Sequence, residues 1–194
     1  MILEIMFITK SILLDRLYGF LCNHEFKDNI TMISEKMFRE LVRKKQQLST
    51  EETIEILKKQ VRGVLSVLGE DGYPYGMPIN YWYNEVDGKI YFHTGKSGYR
   101  TDALKKHNKV SFCVYDEGFR RDGEWALNIK SVIVFGKINM IEDEETIKCI
   151  MEPFSKKFTQ DDEYIQNEIE TFTKNTLLLE LTIDNLCGKL VNES

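Results

Sequence analysis

His93 and the segment Thr94-Gly95-Lys96-Ser97-Gly98-Tyr99-Arg100 concentrate an imidazole, hydroxyls, glycines and two cations where a strand-like run meets a helix-like one. Such a junction offers backbone N–H groups and a helix N-terminus to an anion. Gly95-Lys96-Ser97 imitates the end of a phosphate-binding P-loop, but that motif requires a glycine at position 90, where Ile90 stands in a strand-like run. A nucleoside triphosphatase of that type is excluded. On spacing alone an ordinary glycine-rich turn explains the segment equally well. His93 can hydrogen-bond a phosphate or a substrate oxygen from the end of its strand, although a lone histidine is more often structural.

Other chemistries find little support. No serine-histidine-acid or cysteine-histidine pairing stands out, and the acids between Glu142 and Glu145 suit a helix N-terminus, where negative charge is favourable. His107, beside Lys105 and Lys106, reads as a solvated helix end. Cys22, Cys113, Cys149 and Cys187 are far apart and form no zinc-type pair, so reduced thiols in a cytoplasm are expected.

The elements that must position the junction follow from periodicity. Ser49 precedes Glu52 by three residues, a reciprocal capping arrangement, and Thr53, Ile54 and Leu57 continue a helix expected to end near Gly63. Three antiparallel strands are expected at Val64 to Leu68, Tyr75 to Tyr83 and Lys89 to Thr94, separated by Asp71-Gly72 and Asp87-Gly88 turns. A short helix over Ser97 to Lys106 leads to a strand at Lys109 to Tyr115. Trp125, Leu127 and Ile129 open a long strand through Phe135, with Gly136 at its bend. Ile147, Ile150, Met151 and Phe154 mark one helix, and Tyr164, Ile165, Ile169 and Phe172 another. Leu177, Leu179, Leu181 and Ile183 mark a closing strand. The pattern predicts a mainly β fold with peripheral helices, built on a six-stranded antiparallel barrel.

The 194 residues allow one ordinary domain, with 42% hydrophobic and 29% charged residues in globular proportion. A net charge of -5 gives no general attraction to nucleic acid or anionic lipid, and no run approaches the ~20 apolar residues that span a bilayer. Neither nucleic acid nor membrane is an expected partner. Residues 1–36 differ from the rest, with Leu13, Leu14, Leu17, Tyr18 and Leu21 at helical spacing before a polar stretch. A membrane or partner helix fits this pattern, but an accessory helix or a segment outside the core is preferred. Residues 37–194 form the expected domain, beginning with a short helix in which Phe38, Leu41 and Val42 share a side.

The run from Asp71 to Tyr81, taken with Ile90-Tyr-Phe-His-Thr94 and Gly98-Tyr-Arg100, resembles the FMN-binding split-barrel family typified by pyridoxamine phosphate oxidase, and more closely its nitroimidazole-resistance branch. Ser131 to Lys137 and Leu186 to Lys189 extend the resemblance over about residues 37–190. The resemblance implies a split β-barrel of FMN-binding type and a homodimer with FMN in clefts between subunits. It implies Arg100 on the FMN phosphate, assisted by Thr94 and the turn at Gly98 and Tyr99. Ile79, Asn80 and Tyr81 would border the isoalloxazine, His93 would lie near the flavin as a candidate catalytic residue, and Ser131 would reach it from the second subunit. Members of this branch often carry lysine at the position of Arg100, and arginine keeps that charge while adding a bidentate fork. The substrate-phosphate motifs of true pyridoxamine phosphate oxidases are not recognisable.

These expectations describe an FMN-dependent oxidoreductase passing electrons from NADH or NADPH to a small acceptor, with a nitroaromatic such as a nitroimidazole as the candidate. No dinucleotide GxGxxG signature is present, so a nicotinamide donor would visit the flavin rather than occupy a Rossmann site. The alternative is a non-catalytic split barrel that holds flavin or haem, with His93 as the candidate iron ligand. An empty barrel that serves protein interaction is the third reading. A flavin-like spectrum counts against haem, bleaching by NADH or NADPH with oxygen or a nitro compound counts against a passive carrier, and no affinity for added FMN favours the empty barrel.

Overall fold

Ser49 starts the first helix by the reciprocal arrangement its spacing predicts. Its hydroxyl accepts from the Glu52 amide and the Glu52 carboxylate accepts from the Ser49 amide, both at 3.1 Å. The computed structural model describes residues 38–193, and the expectations for residues 1–36 lie outside them. Helix α1, Thr50–Lys59, carries acids in its first turn and lysines in its last, and buries Thr53, Ile56 and Leu57. It ends four residues before Gly63, which lies inside the first strand.

Strands β1, Arg62–Leu68, and β2, Pro74–Asn80, form one hairpin, while β3, Trp82–Asn84, and β4, Lys89–Gly95, form another. Gly72 and Gly88 supply the positive φ, 80° and 68°, that these turns require. Helix α2, Tyr99–Lys106, leads to β5, Lys109–Tyr115, and β6, Leu127–Ile141. Helices α3, Glu144–Lys156, and α4, Asp162–Phe172, precede β7, Thr176–Glu193. Asp143 and Asp161 cap α3 and α4 through the amides of Thr146 and Tyr164.

The sheet has seven strands in the order β2-β1-β5-β6-β7-β4-β3, each neighbouring pair antiparallel. The seventh strand arises because the expected Tyr75 to Tyr83 run breaks at Tyr81. Residues before the break pair with β1, and those after it pair with β4. β2 and β3 are nearly consecutive in the chain yet occupy opposite edges of the sheet, so the sheet must roll until its edges approach. The result is a split barrel.

Its interior is filled by alternating apolar residues that include Leu65, Phe92, Phe112, Val134 and Leu179. The Phe112 ring meets Tyr81 and Phe92 edge-on at 4.9 and 5.0 Å. Tyr91, on the other face of β4, joins Ile147, Phe154 and Leu178 in a second cluster that seats α3 against β4 and β7. His93 stands two residues beyond Tyr91 and shares its face, which brings the imidazole between sheet and helices.

The short helix expected from Met37 does not form over residues 38–43. One 3-10 turn covers Lys44–Gln46, Phe38 stacks on Phe135 at 5.6 Å, and Gln47 bridges Lys189. These contacts pull the segment across β6 and β7, and Val42, 77% exposed, has no surface on which to bury a helical face. Among the described residues, no helix is long and apolar enough to cross a membrane.

Candidate functional site

The rolled sheet leaves a cleft of about 930 Å³ between the ends of β1, β2 and β4 on one side and helices α3 and α4 on the other. β4 contributes His93, Thr94 and Gly95, α2 contributes Arg100, and the β1–β2 hairpin contributes Arg62, Ile79 and Asn80. Hairpin register sets Arg62 opposite Asn80, and the Arg62 Nε donates to the Asn80 Oδ1 at 2.9 Å. The opposite wall carries Met151, Phe154 and Phe158 from α3 and the turn after it, then Tyr164, Glu168 and Phe172 from α4.

Arg100 is the decisive residue electrostatically. Its Nε is buried and has no hydrogen-bond partner, one of two such side-chain atoms among the described residues. A guanidinium N–H withdrawn from water without an acceptor is costly, and an anion placed in the cleft would satisfy it. Gly98, with φ of 121°, turns the chain into α2, whose first amides are free of intrahelical partners. The Thr101 hydroxyl donates to the Gly95 carbonyl at 3.5 Å and ties the turn together.

The His93 ring packs edge-on against Phe154 at 5.3 Å. His93 is exposed to the cleft, yet the atoms packed around its ring, and then the Arg100 charge, hold its pKa below the usual imidazole value. The imidazole is therefore neutral at pH 7, able to donate from one nitrogen and accept at the other.

Ile79, Asn80, His93, Thr94 and Arg100 are thus brought to one cleft. The Tyr81 side chain is not: it lies in the barrel core, where its hydroxyl donates to the Leu57 carbonyl at 2.9 Å and burial raises its pKa. Tyr99 also points elsewhere, because its ring packs on Tyr75 and its hydroxyl accepts from the Glu70 amide and donates to Asp71. It braces the turn against the β1–β2 hairpin. Ser131 pairs with Lys189, eleven residues along β7 from Leu178, the partner of His93, a path of roughly 35 Å at strand rise. Ser131 does not line this cleft.

Arg62 and the helical wall were not expected at the site. Folding the sequence back about the Asp71-Gly72 turn sets Arg62 opposite Asn80, so a signal for Arg62 existed. Tyr164 and Phe172 read as members of an apolar helix face together with Ile165 and Ile169. Only Ile165 and Ile169 are buried.

The sequence profile of the pyridoxamine 5'-phosphate oxidase family matches residues 49–190. The chain belongs to this family. Among curated proteins, none matches it. Among solved structures, this pyridoxamine 5'-phosphate oxidase family member is similar to a candidate 5-nitroimidazole antibiotic resistance protein from Bacteroides thetaiotaomicron, with 18% identity, a TM-score of 0.63, and coverage of 75% of this chain and 87% of that one. It is similar to an FAD-binding protein from Mesorhizobium loti at 20% identity and a TM-score of 0.54, over 75% and 97% of the two chains. It is similar also to an FAD- and haem-binding protein from Mycobacterium smegmatis at 19% identity and a TM-score of 0.59, over 75% and 73%. At these identities the likeness shows a shared fold.

Proposed function

We propose that the cleft binds a flavin nucleotide and that this family member is an FMN-dependent oxidoreductase, passing electrons from NADH or NADPH to a small acceptor of the nitroaromatic class. The observation that carries the reading is the buried, unpartnered Arg100 Nε at a glycine turn and helix N-terminus. That donor set fits a phosphate monoester. Two of the similar structures are named for FAD binding and one for nitroimidazole resistance, which supports the choice of ligand and acceptor.

In this reading Arg100, the Thr94 hydroxyl and the first amides of α2 hold the phosphate. Ile79 gives an apolar edge and Asn80, fixed by Arg62, a polar one. Neutral His93 hydrogen-bonds the rim of the ring system and orients what binds there. A bound flavin supplies the redox chemistry, which is why the chain needs no acid-base triad of its own. The proposal includes a cytoplasmic homodimer, with Ser131 of a second copy completing each cleft.

The test is the absorption spectrum of the purified protein, before and after anaerobic addition of NADH or NADPH. A flavin spectrum bleached by either donor, and restored by a nitroaromatic, is expected. No affinity for added FMN or FAD would overturn the flavin site, a Soret band would turn His93 towards haem, and flavin unmoved by both donors would remove the nicotinamide.

A further inference from the structure

The cleft is larger than its phosphate end. Tyr164, Glu168 and Phe172 stand four residues apart along α4 and form one stripe facing the cleft, beside the buried stripe of Ile165 and Ile169. Tyr164 is 55% exposed and Phe172 50%, while Phe158, on the same wall, is 44% exposed. Phe158 stacks on Phe154 at 5.7 Å, and Phe154 meets His93, so rings run without interruption from β4 to the cleft mouth. Exposed rings gathered on one wall of a cleft mark a binding surface rather than scattered surface apolarity.

Charge then fixes what would lie there. Arg62 and Arg100 stand on the strand wall and Glu168 on the helical wall. A ligand with phosphates is drawn to the arginines and held off Glu168, so the group on the aromatic wall must present hydrogen-bond donors to a carboxylate. A planar base with an exocyclic amino group does this while stacking on tyrosine or phenylalanine. The nitro oxygens of a nitroaromatic would be repelled by Glu168. The cleft volume of about 930 Å³ is near the upper end of the roughly 300 to 1,000 Å³ usual for small-molecule sites.

We propose that the helical wall, Phe158, Tyr164, Glu168 and Phe172, is a site for the adenosine 5'-diphosphate moiety of a dinucleotide, its adenine on the rings and its phosphates toward the arginine side of the cleft, on Arg100 and Arg62 if it is part of FAD and on Arg62 alone if it lies beside FMN. The inference rests on the flavin reading of the strand wall. Two dinucleotides share this moiety, FAD and the nicotinamide donor, and the experiment separates them.

Purified protein is titrated with FMN and with FAD by flavin fluorescence, and FMN-loaded protein is titrated with ADP by calorimetry. The same titrations are made on Tyr164→Ala and Glu168→Gln, both at exposed positions. If the moiety belongs to FAD, FAD binds about tenfold more tightly than FMN, and both substitutions erase that ratio while leaving FMN affinity unchanged. If it belongs to the nicotinamide donor, FMN and FAD bind alike and ADP binds the FMN-loaded protein, with binding lost in Tyr164→Ala. Equal flavin affinities with no ADP binding would overturn the adenosine site and leave the flavin reading standing, whereas failure of both flavins to bind would overturn both. A fall in particle mass in Tyr164→Ala, with the FAD-to-FMN ratio unmoved, would assign the rings to a second copy and overturn the proposal.

Discussion

The Lys157 Nζ lies 4.2 Å from the centroid of the Tyr81 ring and donates to the Tyr81 carbonyl at 3.3 Å. One side chain thus clamps the turn after α3 onto the break between β2 and β3, where the barrel is split. Burial pushes the Lys157 pKa down to about 8, while the ring face and the carbonyl favour its charged form. The unfolded chain keeps this proton up to the ordinary lysine value near 10.5. Between these values the unfolded state binds more protons, so stability rises with pH through that window, and below pH 8 the desolvation cost is fully present. Near pH 7, where the buried charge costs the wild type most, Lys157→Met should be at least as stable as the wild type. The wild type should then gain on the order of 2 kcal/mol over the variant from pH 8 to 10.5. Parallel pH profiles would show that the amine is solvated.

Arg100→Ala removes the guanidinium whose Nε is buried and unpartnered. A charge-assisted contact of this kind is worth about 1.5 to 3 kcal/mol, so FMN affinity should fall by about 10- to 150-fold. Thermal stability should hold or improve, because an unsatisfied donor leaves the structure. Fluorescence titration and a melting curve on the same preparation check both halves. Unchanged FMN affinity would place the phosphate elsewhere.

His93 and Arg100 are coupled through charge, since Arg100 is the second cause, after desolvation, of the lowered His93 pKa. In Arg100→Ala the His93 pKa should therefore rise while staying below the ordinary 6.5, because the desolvation by the cleft atoms around the ring remains. The wild-type contribution has a defined sign: as pH falls through 6.5 the unfolded chain takes up this proton first, and stability is lost. Imidazole resonances followed by NMR across pH 4 to 8, the span of ordinary histidine titration, give the value directly. A titration indifferent to Arg100 would separate the two groups.

The fold was legible where local chemistry dictates it. Ser49 with Glu52, and the Asp71-Gly72 and Asp87-Gly88 turns, demand the structures they form, so helix α1 and both hairpins follow from the residues alone. Tyr81 shows where that reading stops. Alternation identifies Tyr75 to Tyr83 as extended but is silent on which strand each half will pair with, and the exchange of partners at Tyr81 is decided by the roll of the whole sheet. The site divides in the same way. His93, Thr94 and Arg100 are close in sequence and visible as a constellation. Glu168 and Phe172 reach them only because α4 packs over the cleft, and a helical period cannot distinguish an aromatic residue facing the core from one facing an open cleft.

Gly136 permits the curl on which the site depends. The register of β6 on β7 shifts between Phe135, paired with Asn185, and Gly136, paired with Ile183, so Asp184 is bulged out of the ladder. Such a bulge increases local twist. A Cβ at Gly136 would collide with the Thr182 carbonyl oxygen and come within 2.8 Å of the Leu181 Cδ1. The first obstacle is backbone and cannot rotate away. Gly136→Ala should therefore cost about 1 to 3 kcal/mol and lower the melting temperature by roughly 2 to 12 °C. Gly95→Ala is the control, because a Cβ there meets nothing within 4 Å, and it should melt with the wild type. Equal melting of all three proteins would mean that β6 and β7 part easily at the bulge, and the curl of the barrel would have to be set elsewhere.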